Sequence, residues 1–381
     1  MVYQYGALFV ELLQRTKISP QIFLLASHFA DPPAVNLIAF PVAFFLHPVL
    51  GSATLLSINF SEWLNCVLKW LLDDDRPYWW VHTSEKAYIK LKQFPLTCET
   101  GPGSPSGHCM VMVSGWLPLL LYIRSNYNRL GSVFLALFIT CTVLVAVSRI
   151  YIATHFPHQT ILGVVAGALI GLFFYEWSLS FHKRSSKSGK KMANFHSSIL
   201  NSPSSLVNTG VLSLIAGKAV GILLSYLGTD VERSYRLAAK YCARPEWLHP
   251  STSVMASYAR VAGALIGLAG AIFLRPLSSR TSKPVITPLW EIIVPSIITF
   301  LAYYVFHQVI LFVSPHMKNL VEHIPLISDI SLLFYMAILG ALSPMIVVFV
   351  FSTFHDKFFL SFKQQFTPPK SKNGMSTVAT N

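Results

Sequence analysis

The 381-residue chain is 53% hydrophobic and 12% charged, whereas a typical soluble domain has about 25% charged residues. Its mean hydropathy of +0.53 favours a membrane protein over a soluble globular one. The net charge of +13 does not indicate nucleic-acid binding, because Lys and Arg lie between apolar runs and do not form stripes on polar helices.

Apolar stretches long enough for membrane-spanning helices follow one another along the chain. Each approaches the roughly 20 residues that a helix needs to cross a hydrocarbon core of about 30 Å. The first stretch is interrupted by Asp31, Pro32 and Pro33. The pattern predicts an all-α, polytopic membrane protein with nine transmembrane helices. The predicted spans lie near residues 21–46, 50–72, 107–124, 131–150, 158–181, 206–228, 254–274, 287–313 and 329–355.

The loops between these spans are unequally charged. The loops after the third, fifth and seventh spans and the C-terminal tail hold fourteen basic residues and one acidic residue, Asp356. The loops on the other side mix basic with acidic residues. The positive-inside rule therefore places the first set in the cytoplasm and the N-terminus on the opposite side. The basic residues are Arg124, Arg129, Lys183, Arg184, Lys187, Lys190, Lys191, Arg275, Arg280, Lys283, Lys357, Lys363, Lys370 and Lys372.

Three short segments concentrate polar residues where a membrane protein usually has few. They are Lys69–Pro77, Gly103–His108 and Ser148–Gln159. The predicted topology places them at the end of the second span, the start of the third, and the turn between the fourth and fifth. All three lie at the non-cytoplasmic face, so we expect them to converge on one pocket. Ionisable groups inside a membrane bundle are candidates for function.

The chemistry of these segments suits a phosphate group. Lys69 and Arg76 are seven residues apart, about two helical turns, so we expect both to project from one helix face. Together with Arg149 they provide three cations for a tetrahedral dianion, and a guanidinium binds such an anion through two donors. The sequence around Ser106 predicts a helix start, with the Ser106 hydroxyl as cap and donor and the Gly107 amide facing the anion.

Two histidines complete this set, and they suggest catalysis. One of His108 and His155 can attack phosphorus while the other protonates the leaving oxygen. Three cations and a helix N-terminus supply the positive charge, so we expect no metal and no cofactor.

These segments carry a resemblance to a known family. The patterns Lys-x6-Arg-Pro, Pro-Ser-Gly-His and Ser-Arg-x5-His resemble the signature of the type-2 phosphatidic acid phosphatase (PAP2) and vanadium haloperoxidase superfamily. Within it, the chain is similar to the glucose-6-phosphatase catalytic subunits from about residue 20 to residue 355. The stretches that carry this similarity are Arg76–Trp80, Gln93–Pro95, Thr97–His108, Ser148–Tyr151, His155–Gln159 and Pro245–Trp247.

The resemblance implies a role for each site residue and a PAP2-like helical core. His155 matches the nucleophile, which becomes a phosphohistidine, and His108 matches the general acid. The superfamily often has an Asp four residues after the nucleophile, but Gln159 stands there, as in the glucose-6-phosphatases. The matching phosphate ligands are Lys69, Arg76, Ser106, Gly107 and Arg149.

The resemblance also implies an endoplasmic-reticulum membrane enzyme with a lumenal active site and a cytoplasmic C-terminus. It would hydrolyse D-glucose 6-phosphate and be coupled to a glucose-6-phosphate transporter. We expect one domain over residues 1–355, with its catalytic core at about 50–181, and a disordered cytoplasmic tail over 356–381. The Ser- and Lys-rich segment Lys183–Ser205 is expected to be a flexible cytoplasmic loop.

Other interpretations remain open at this point. The chain could be a lipid phosphate phosphatase of the same superfamily, or a non-catalytic sugar-phosphate binding protein or transporter. Cys98 and Cys242 fall on one side of the membrane and either form a disulfide or remain free thiols.

The remaining polar residues near the spans have less definite roles. Asp73, Asp74 and Asp75 would repel a phosphate unless they pair with neighbouring lysines, for which the candidates are Lys86, Lys90 and Lys92. Helix–helix hydrogen bonds or interface positions, away from the pocket, are expected for His28, Asp31, His307 and His316. His158 adjoins His155 but is expected to point elsewhere on its helix.

The charge asymmetry generates a test of topology. A tag inserted in Lys183–Ser205 should be cleaved by protease added to sealed microsomes, whereas a tag near Lys86 should be protected. Detergent-opened microsomes, in which both tags should be cleaved, provide the control. The reverse pattern of protection would place the three polar segments in the cytoplasm.

Overall fold

A computed structural model describes residues 1–84, 89–187, 202–274, 289–321 and 325–354. These ranges contain helices and no strand, with one isolated parallel bridge between Glu99 and His249. Two short 3-10 turns, Pro245–Trp247 and Pro250–Thr252, complete the secondary structure. The helices are α1 (Val2–Gln14), α2 (Pro20–Phe29), α3 (Pro32–Leu46), α4 (Pro48–Leu72), α5 (Pro77–Thr83), α6 (Gly107–Asn126), α7 (Asn128–Tyr151), α8 (Pro157–Lys187), α9 (Pro203–Tyr226), α10 (Arg233–Tyr241), α11 (Val254–Leu274), α12 (Leu289–Val321) and α13 (Pro325–Phe354).

The prediction of an all-α membrane protein is confirmed in its architecture. Every predicted span corresponds to a helix or, for the first span, to the pair α2 and α3. By length and apolar composition, six helices within the described ranges can cross a membrane: α7, α8, α9, α11, α12 and α13. The pair α2 and α3, bent by 56°, would make a seventh. Helices α4 and α6 have spanning length but are not in that set, so the number nine remains a prediction.

The bend between α2 and α3 brings a polar residue to the interior of the bundle. Asp31 stands at the N-cap position of α3, and prolines fill the next two positions. Proline is well tolerated in a first helical turn because its missing N–H has no partner there. The interruption noticed in the sequence is therefore a helix boundary, and it sets Asp31 beside His108, with Oδ1 3.6 Å from Nε2.

Small residues allow the helices to approach closely. A Cβ on Gly163 would lie 2.6 Å from the Ser106 carbonyl oxygen, and one on Gly167 would lie 2.4 Å from that of Met110, so α8 and α6 are nearly in backbone contact. Gly263 and Gly267 bring α11 equally close to α13. Lipid provides no hydrophobic force between helices, so close packing of this kind is what holds membrane bundles together. It fixes the start of α6 against α8.

One end of the helix bundle is built from α1, α5, α10 and the segment 89–106. Loop charge predicts that this end faces away from the cytoplasm. Cys98 and Cys242 form a disulfide there, which decides between the two alternatives left open by the sequence. The Cys98 carbonyl also accepts a hydrogen bond from the His249 amide, at 3.2 Å. Segment 89–106 is thus tied covalently and through its backbone to the loop that follows α10.

Two sequence predictions concern segments that the structure describes incompletely or not at all. The predicted tail, residues 356–381, lies outside the described residues. So do residues 188–201 of the predicted loop Lys183–Ser205, whose two ends belong to α8 and α9.

Candidate active site

Lys69 and Arg76 both reach the site, but they do so from different helices and not from one helix face. Helix α4 ends at Leu72, and Asp73 adopts a left-handed conformation with φ of 37°. Arg76 is therefore not on α4; it precedes Pro77 in extended conformation, at the N-cap position of α5. The prediction that Lys69 and Arg76 share one helix face is wrong, because the chain reverses between them.

Arg76 is fully buried and uses every nitrogen of its guanidinium group. Nε donates to the Gly101 carbonyl at 2.7 Å, and Nη2 donates to the Pro102 carbonyl at 2.9 Å. Nη1 donates to the Thr154 carbonyl at 3.2 Å. Thr154 belongs to the third polar segment, and Gly101 and Pro102 come just before the second. The guanidinium of Arg76, from the first segment, therefore joins all three regions. A lysine at this position would have one nitrogen and could not do this.

Lys69 and Arg149 approach the same point from α4 and α7. Both are buried, and the Lys69 Nζ lies 3.5 Å from where a Cβ on Gly101 would be. Arg149 reaches Glu99 through Nη2, while its Nε and Nη1 have no hydrogen-bond partner among the described residues. Buried donors usually have partners, so these two nitrogens are suited to an anionic ligand.

The turn that starts α6 is held by its neighbours. Asn65 of α4 donates from Nδ2 to the Pro105 carbonyl at 3.0 Å, and the Ser106 amide donates to the Gln159 carbonyl at 3.0 Å. Ser106 occupies the N-cap position, but its hydroxyl makes no capping bond, contrary to our expectation. That buried hydroxyl has no hydrogen-bond partner in the described structure, so it is available to a ligand next to the first amides of α6, at Gly107 and His108.

The protonation of the His155 ring follows from its contacts. Nδ1 lies 2.7 Å from the Gly103 carbonyl oxygen, which can only accept, so Nδ1 carries the proton. Nε2 then has a lone pair, and it lies 3.3 Å from Nη1 of Arg76. Burial, together with the charge of Arg76, holds the pKa of His155 well below its ordinary value. His155 therefore carries its proton on Nδ1, and the lone pair of Nε2 accepts a hydrogen bond from Arg76.

Gln159 links the three polar segments. Its Nε2 donates to the Asp75 carbonyl at 2.7 Å, and its Oε1 accepts from the Phe156 amide at 3.0 Å. Its backbone carbonyl accepts from the Ser106 amide. The groups beside the protonated Nδ1 of His155 are thus the Gly103 carbonyl, at 2.7 Å, and Oε1 of Gln159, at 3.3 Å.

Glu99 is the site residue that the sequence analysis missed. It is 5% exposed and lies at the centre of the cluster, with Oε2 2.9 Å from Nη2 of Arg76 and 3.8 Å from Nε2 of His155. Oε1 contacts Arg149 and lies 3.4 Å from Nδ1 of His108. Burial by itself raises the pKa of Glu99, but Arg149 and Arg76 hold it well below the ordinary value. One feature of the sequence could have indicated Glu99: it is the one acidic or basic residue in the stretch Thr97–His108, apart from His108 itself.

A cavity of about 230 Å³ opens beside this cluster. His28 and Asp31 line it, so the expectation that these two residues lie away from the pocket is wrong; the α2–α3 bend moves them inward. Most of the lining is polar, and Leu96 is its one aliphatic member. The lining residues are Ser27, His28, Asp31, Leu96, Glu99, His108, Arg149, His249, Ser251 and Thr252.

The acidic triplet beside Arg76 has partners, but they are not the expected ones. Arg233 of α10 lies 2.7 Å from Asp75 and 3.7 Å from Asp73. Asp74 accepts hydrogen bonds from Tyr3, from Gln159 at 2.9 Å and from His158 at 3.1 Å. Burial raises the pKa of Asp74, but the bonds from His158 and Tyr3 outweigh it and lower the pKa overall.

The expected lysine partners do not take part within the described residues. Lys90 and Lys92 are described and make no ion pair with the triplet, whereas Lys86 lies outside the described residues. His307 accepts or donates a 3.2 Å hydrogen bond with Tyr335, as predicted for a helix–helix contact. The side chain of His316 is outside the described part of the structure.

Comparison with known proteins identifies the family. Residues 51–183 match the model of the PAP2 superfamily. The chain is 35% identical to glucose-6-phosphatase 3 of Bos taurus over 262 residues, which cover 65% of this chain and 68% of that protein. The chain belongs to the glucose-6-phosphatase family. This makes it a phosphomonoester hydrolase.

Other members of the glucose-6-phosphatase family match over similar lengths. Identity is 32% with glucose-6-phosphatase 2 of Homo sapiens, covering 71% of this chain and 76% of that one. It is 34% with glucose-6-phosphatase catalytic subunit 1 of Bos taurus, covering 65% and 68%. No solved structure gives a significant match.

The Gly103 position provides a test of the junction between the polar segments. A Cβ there would lie 2.5 Å from the Asp75 carbonyl oxygen and 2.6 Å from Nε2 of Gln159, both held in place. We expect Gly103→Ala to lose activity by about tenfold or more and to destabilise the protein by about 1–3 kcal/mol. Phosphate release and thermal unfolding in detergent measure the two effects.

The matched control is Gly270→Ala in α11, where an added Cβ meets nothing within 4 Å. That variant should keep its activity and unfold at the same temperature or slightly higher, because alanine favours a helix over glycine by up to about 1 kcal/mol. Equal behaviour of the two variants would contradict the steric role of Gly103.

Proposed function

We propose that this member of the family hydrolyses D-glucose 6-phosphate to glucose and phosphate through a phosphohistidine intermediate on His155. One observation carries the proposal: the unprotonated Nε2 of His155, the guanidinium groups of Arg76 and Arg149, and the imidazole of His108 surround a single point, marked by the Glu99 carboxylate. A phosphate bound at that point would have a nucleophile, cationic ligands and an acid within reach.

The first step is attack by the Nε2 lone pair of His155 on phosphorus, with cleavage of the bond to the sugar oxygen. The Gly103 carbonyl keeps the proton on Nδ1, so Nε2 is available without prior proton loss. His108 gives its proton to the departing oxygen. Lys69, Arg76, Arg149, the Ser106 hydroxyl and the Gly107 amide stabilise the charge on the three equatorial oxygens.

The second step restores the enzyme. Water attacks the phosphohistidine, and His108, neutral after the first step, accepts a proton from that water. The bond between phosphorus and Nε2 breaks, and inorganic phosphate leaves. The charge that stabilises both steps comes from the chain's own cations and the α6 N-terminus.

The cavity beside the cluster favours a substrate in which the phosphate is esterified to a sugar. Its polar lining offers hydroxyl-binding groups on several sides, including His28, Asp31 and His249. A lipid phosphate would instead favour an apolar channel, and the cavity has one aliphatic lining residue, Leu96. The names of the matched relatives point to the same substrate.

We further propose a nine-span arrangement over residues 1–355, with the active site in the endoplasmic-reticulum lumen and the C-terminus in the cytoplasm. Helices α4 and α6 would complete the spans, shielded by their neighbours, and residues 50–181 would form the catalytic core. Loop charge supports this orientation. A cytosolic sugar phosphate must then cross the membrane first, so the enzyme would depend on a glucose-6-phosphate transporter.

The substrate proposal is tested by phosphate release from microsomes. Detergent-opened microsomes should hydrolyse glucose 6-phosphate at least about tenfold faster than phosphatidic acid, because the polar cavity discriminates between the alcohols. Microsomes that express a His155→Ala variant control for other phosphatases. Faster hydrolysis of phosphatidic acid would favour the lipid alternative, and no hydrolysis of either would favour a binding or transport protein.

The two histidines should behave differently when each is replaced. Rapid quenching with labelled substrate should trap phosphate on the protein, and His155→Ala should trap none. His108→Ala should be slowed by about a hundredfold or more on glucose 6-phosphate but much less on p-nitrophenyl phosphate, whose leaving group needs no proton. Label retained in His155→Ala would show that another residue is the nucleophile.

The same assignment predicts a bell-shaped pH dependence. His155 must be neutral to attack, and its lowered pKa places the acid limb below about pH 6.5, the ordinary value for histidine. Activity should thus persist as the pH falls through that value and then decline. His108 must be protonated, so its loss of a proton sets the alkaline limb, and that limb should be absent with p-nitrophenyl phosphate.

A further inference from the structure

The position of Glu99 is unusual for a site that binds an anion. Its carboxylate lies between the two guanidinium groups, 2.9 Å from Arg76 and in contact with Arg149, where the phosphate of a substrate needs to be. It is ionised there, because these two cations hold its pKa well below the ordinary value despite burial. A phosphate dianion and this carboxylate cannot share both guanidinium groups, since like charges at contact repel strongly.

The carboxylate has two other neighbours, the imidazoles of His108 and His155, and only one of them can donate to it. Nε2 of His155 lies 3.8 Å from Oε2 but carries no proton, because the proton of that ring is on Nδ1. Nδ1 of His108 lies 3.4 Å from Oε1 of Glu99, slightly beyond hydrogen-bond distance. The backbone of Glu99 is fixed: its carbonyl accepts from the Tyr78 hydroxyl at 3.0 Å, and its neighbour Cys98 is tied to Cys242. Displacement from the guanidinium groups therefore moves the side chain and not the loop, and His108 is the group it meets.

The surroundings of His108 explain why it needs such a partner. Arg149 from α7, Lys69 from α4 and Arg76 all face it with positive charge, and it stands in the first turn of α6, where the helix dipole is positive. Among the described residues, only Glu99 and Asp31 face it with negative charge, and Asp31 lies at Nε2, 3.6 Å away. Carboxylates are what can keep a proton on this imidazole.

We propose that Glu99 is a positioning residue that substrate phosphate displaces from Arg76 and Arg149, and that it then pairs with Nδ1 of His108. This pairing keeps His108 protonated and directs Nε2 toward the leaving oxygen, on the side of the cavity. The general acid is fully charged only when phosphate is bound. The inference rests on the proposed function for the identity of His108 as the acid. It extends that function, because substrate binding itself causes His108 to be protonated.

The isosteric variant Glu99→Gln tests the proposal through effects of opposite sign. Tungstate, a tetrahedral dianion, should bind at least about threefold more tightly, because no carboxylate competes for the arginines. Turnover of glucose 6-phosphate should fall by about tenfold or more, whereas turnover of p-nitrophenyl phosphate should change by less than about threefold. A residue that only supports the fold would weaken tungstate binding and slow both substrates together.

The pH profile provides a second measurement on the same variant. Without the carboxylate, His108 should lose its proton at lower pH, so the alkaline limb for glucose 6-phosphate should move down by about one pH unit. Glu99→Asp retains the charge and should restore the limb toward the wild-type position. An alkaline limb that is unchanged in Glu99→Gln overturns the role assigned to Glu99.

The matched control is Glu62→Gln. Glu62 is also a buried carboxylate paired with an arginine, Arg260, but it lines a separate small pocket between α4 and α11. This variant loses a buried ion pair of the same kind, so it reports the effect of general destabilisation. It should leave tungstate affinity and the ratio of the two substrates unchanged; a ratio altered as in Glu99→Gln would overturn the specific role.

A measurement on the unaltered protein covers the case in which Glu99→Gln does not fold. Tungstate binding is measured by calorimetry near pH 7.5 in buffers of different ionisation enthalpy. About one proton per site should be taken up on binding, because His108 becomes charged. Binding without proton uptake overturns the proposal. These experiments do not depend on which ester is the substrate, so absence of glucose 6-phosphate hydrolysis would reject the proposed function and leave this inference testable.

Discussion

Burial of positive charge is the constraint on which the rest of this structure depends. Arg76 and Arg149 are fully buried, and Lys69 and two histidines lie beside them, but Glu99 is the one buried carboxylate among them in the part of the chain that the structure describes. Removing ions from water costs several kcal/mol each unless they gain hydrogen bonds and counter-charges. The cluster gains them from backbone carbonyls, and the segments 99–106 and 152–156 are non-helical, which leaves those carbonyls free. The same residual positive charge that makes the cluster costly makes it suited to an anion, such as the phosphate of the proposed substrate.

The polar segments can supply these carbonyls only if they are held rigidly against one another. Gly103 admits the Asp75 carbonyl and Gln159 at distances that no side chain would allow, and Gln159 bonds to all three polar segments. The tight contact of α6 with α8 keeps the first turn of α6 in register with His155. The disulfide of Cys98 fixes the segment that carries Glu99. Packing in the bundle therefore determines geometry at the site, although no apolar residue does chemistry there.

Much of this arrangement could be predicted from the sequence, for identifiable reasons. Long apolar runs report helices directly, and each predicted span has a helical counterpart. The seven predicted site residues also lie together, although their roles remain predictions. Periodicity failed where the backbone leaves regular structure: Asp73, with φ of 37°, removes Arg76 from the face of α4. The bend at Asp31 and the inward turn of Glu99 depend on contacts between distant segments, and no local pattern reports such contacts.

The two histidines share one cationic environment, yet the proposed mechanism requires opposite protonation states of them, and their nearest neighbours differ accordingly. The backbone carbonyl of Gly103 holds the His155 proton on Nδ1, and the Arg76 guanidinium disfavours a second proton on Nε2. His108 meets Glu99 at Nδ1 and Asp31 at Nε2, and both favour the charged ring. Environments that push two titratable groups apart assign the acid and the base. Because Glu99 is shared with the arginines before phosphate binds, the difference between the two histidines should be greatest when substrate is present.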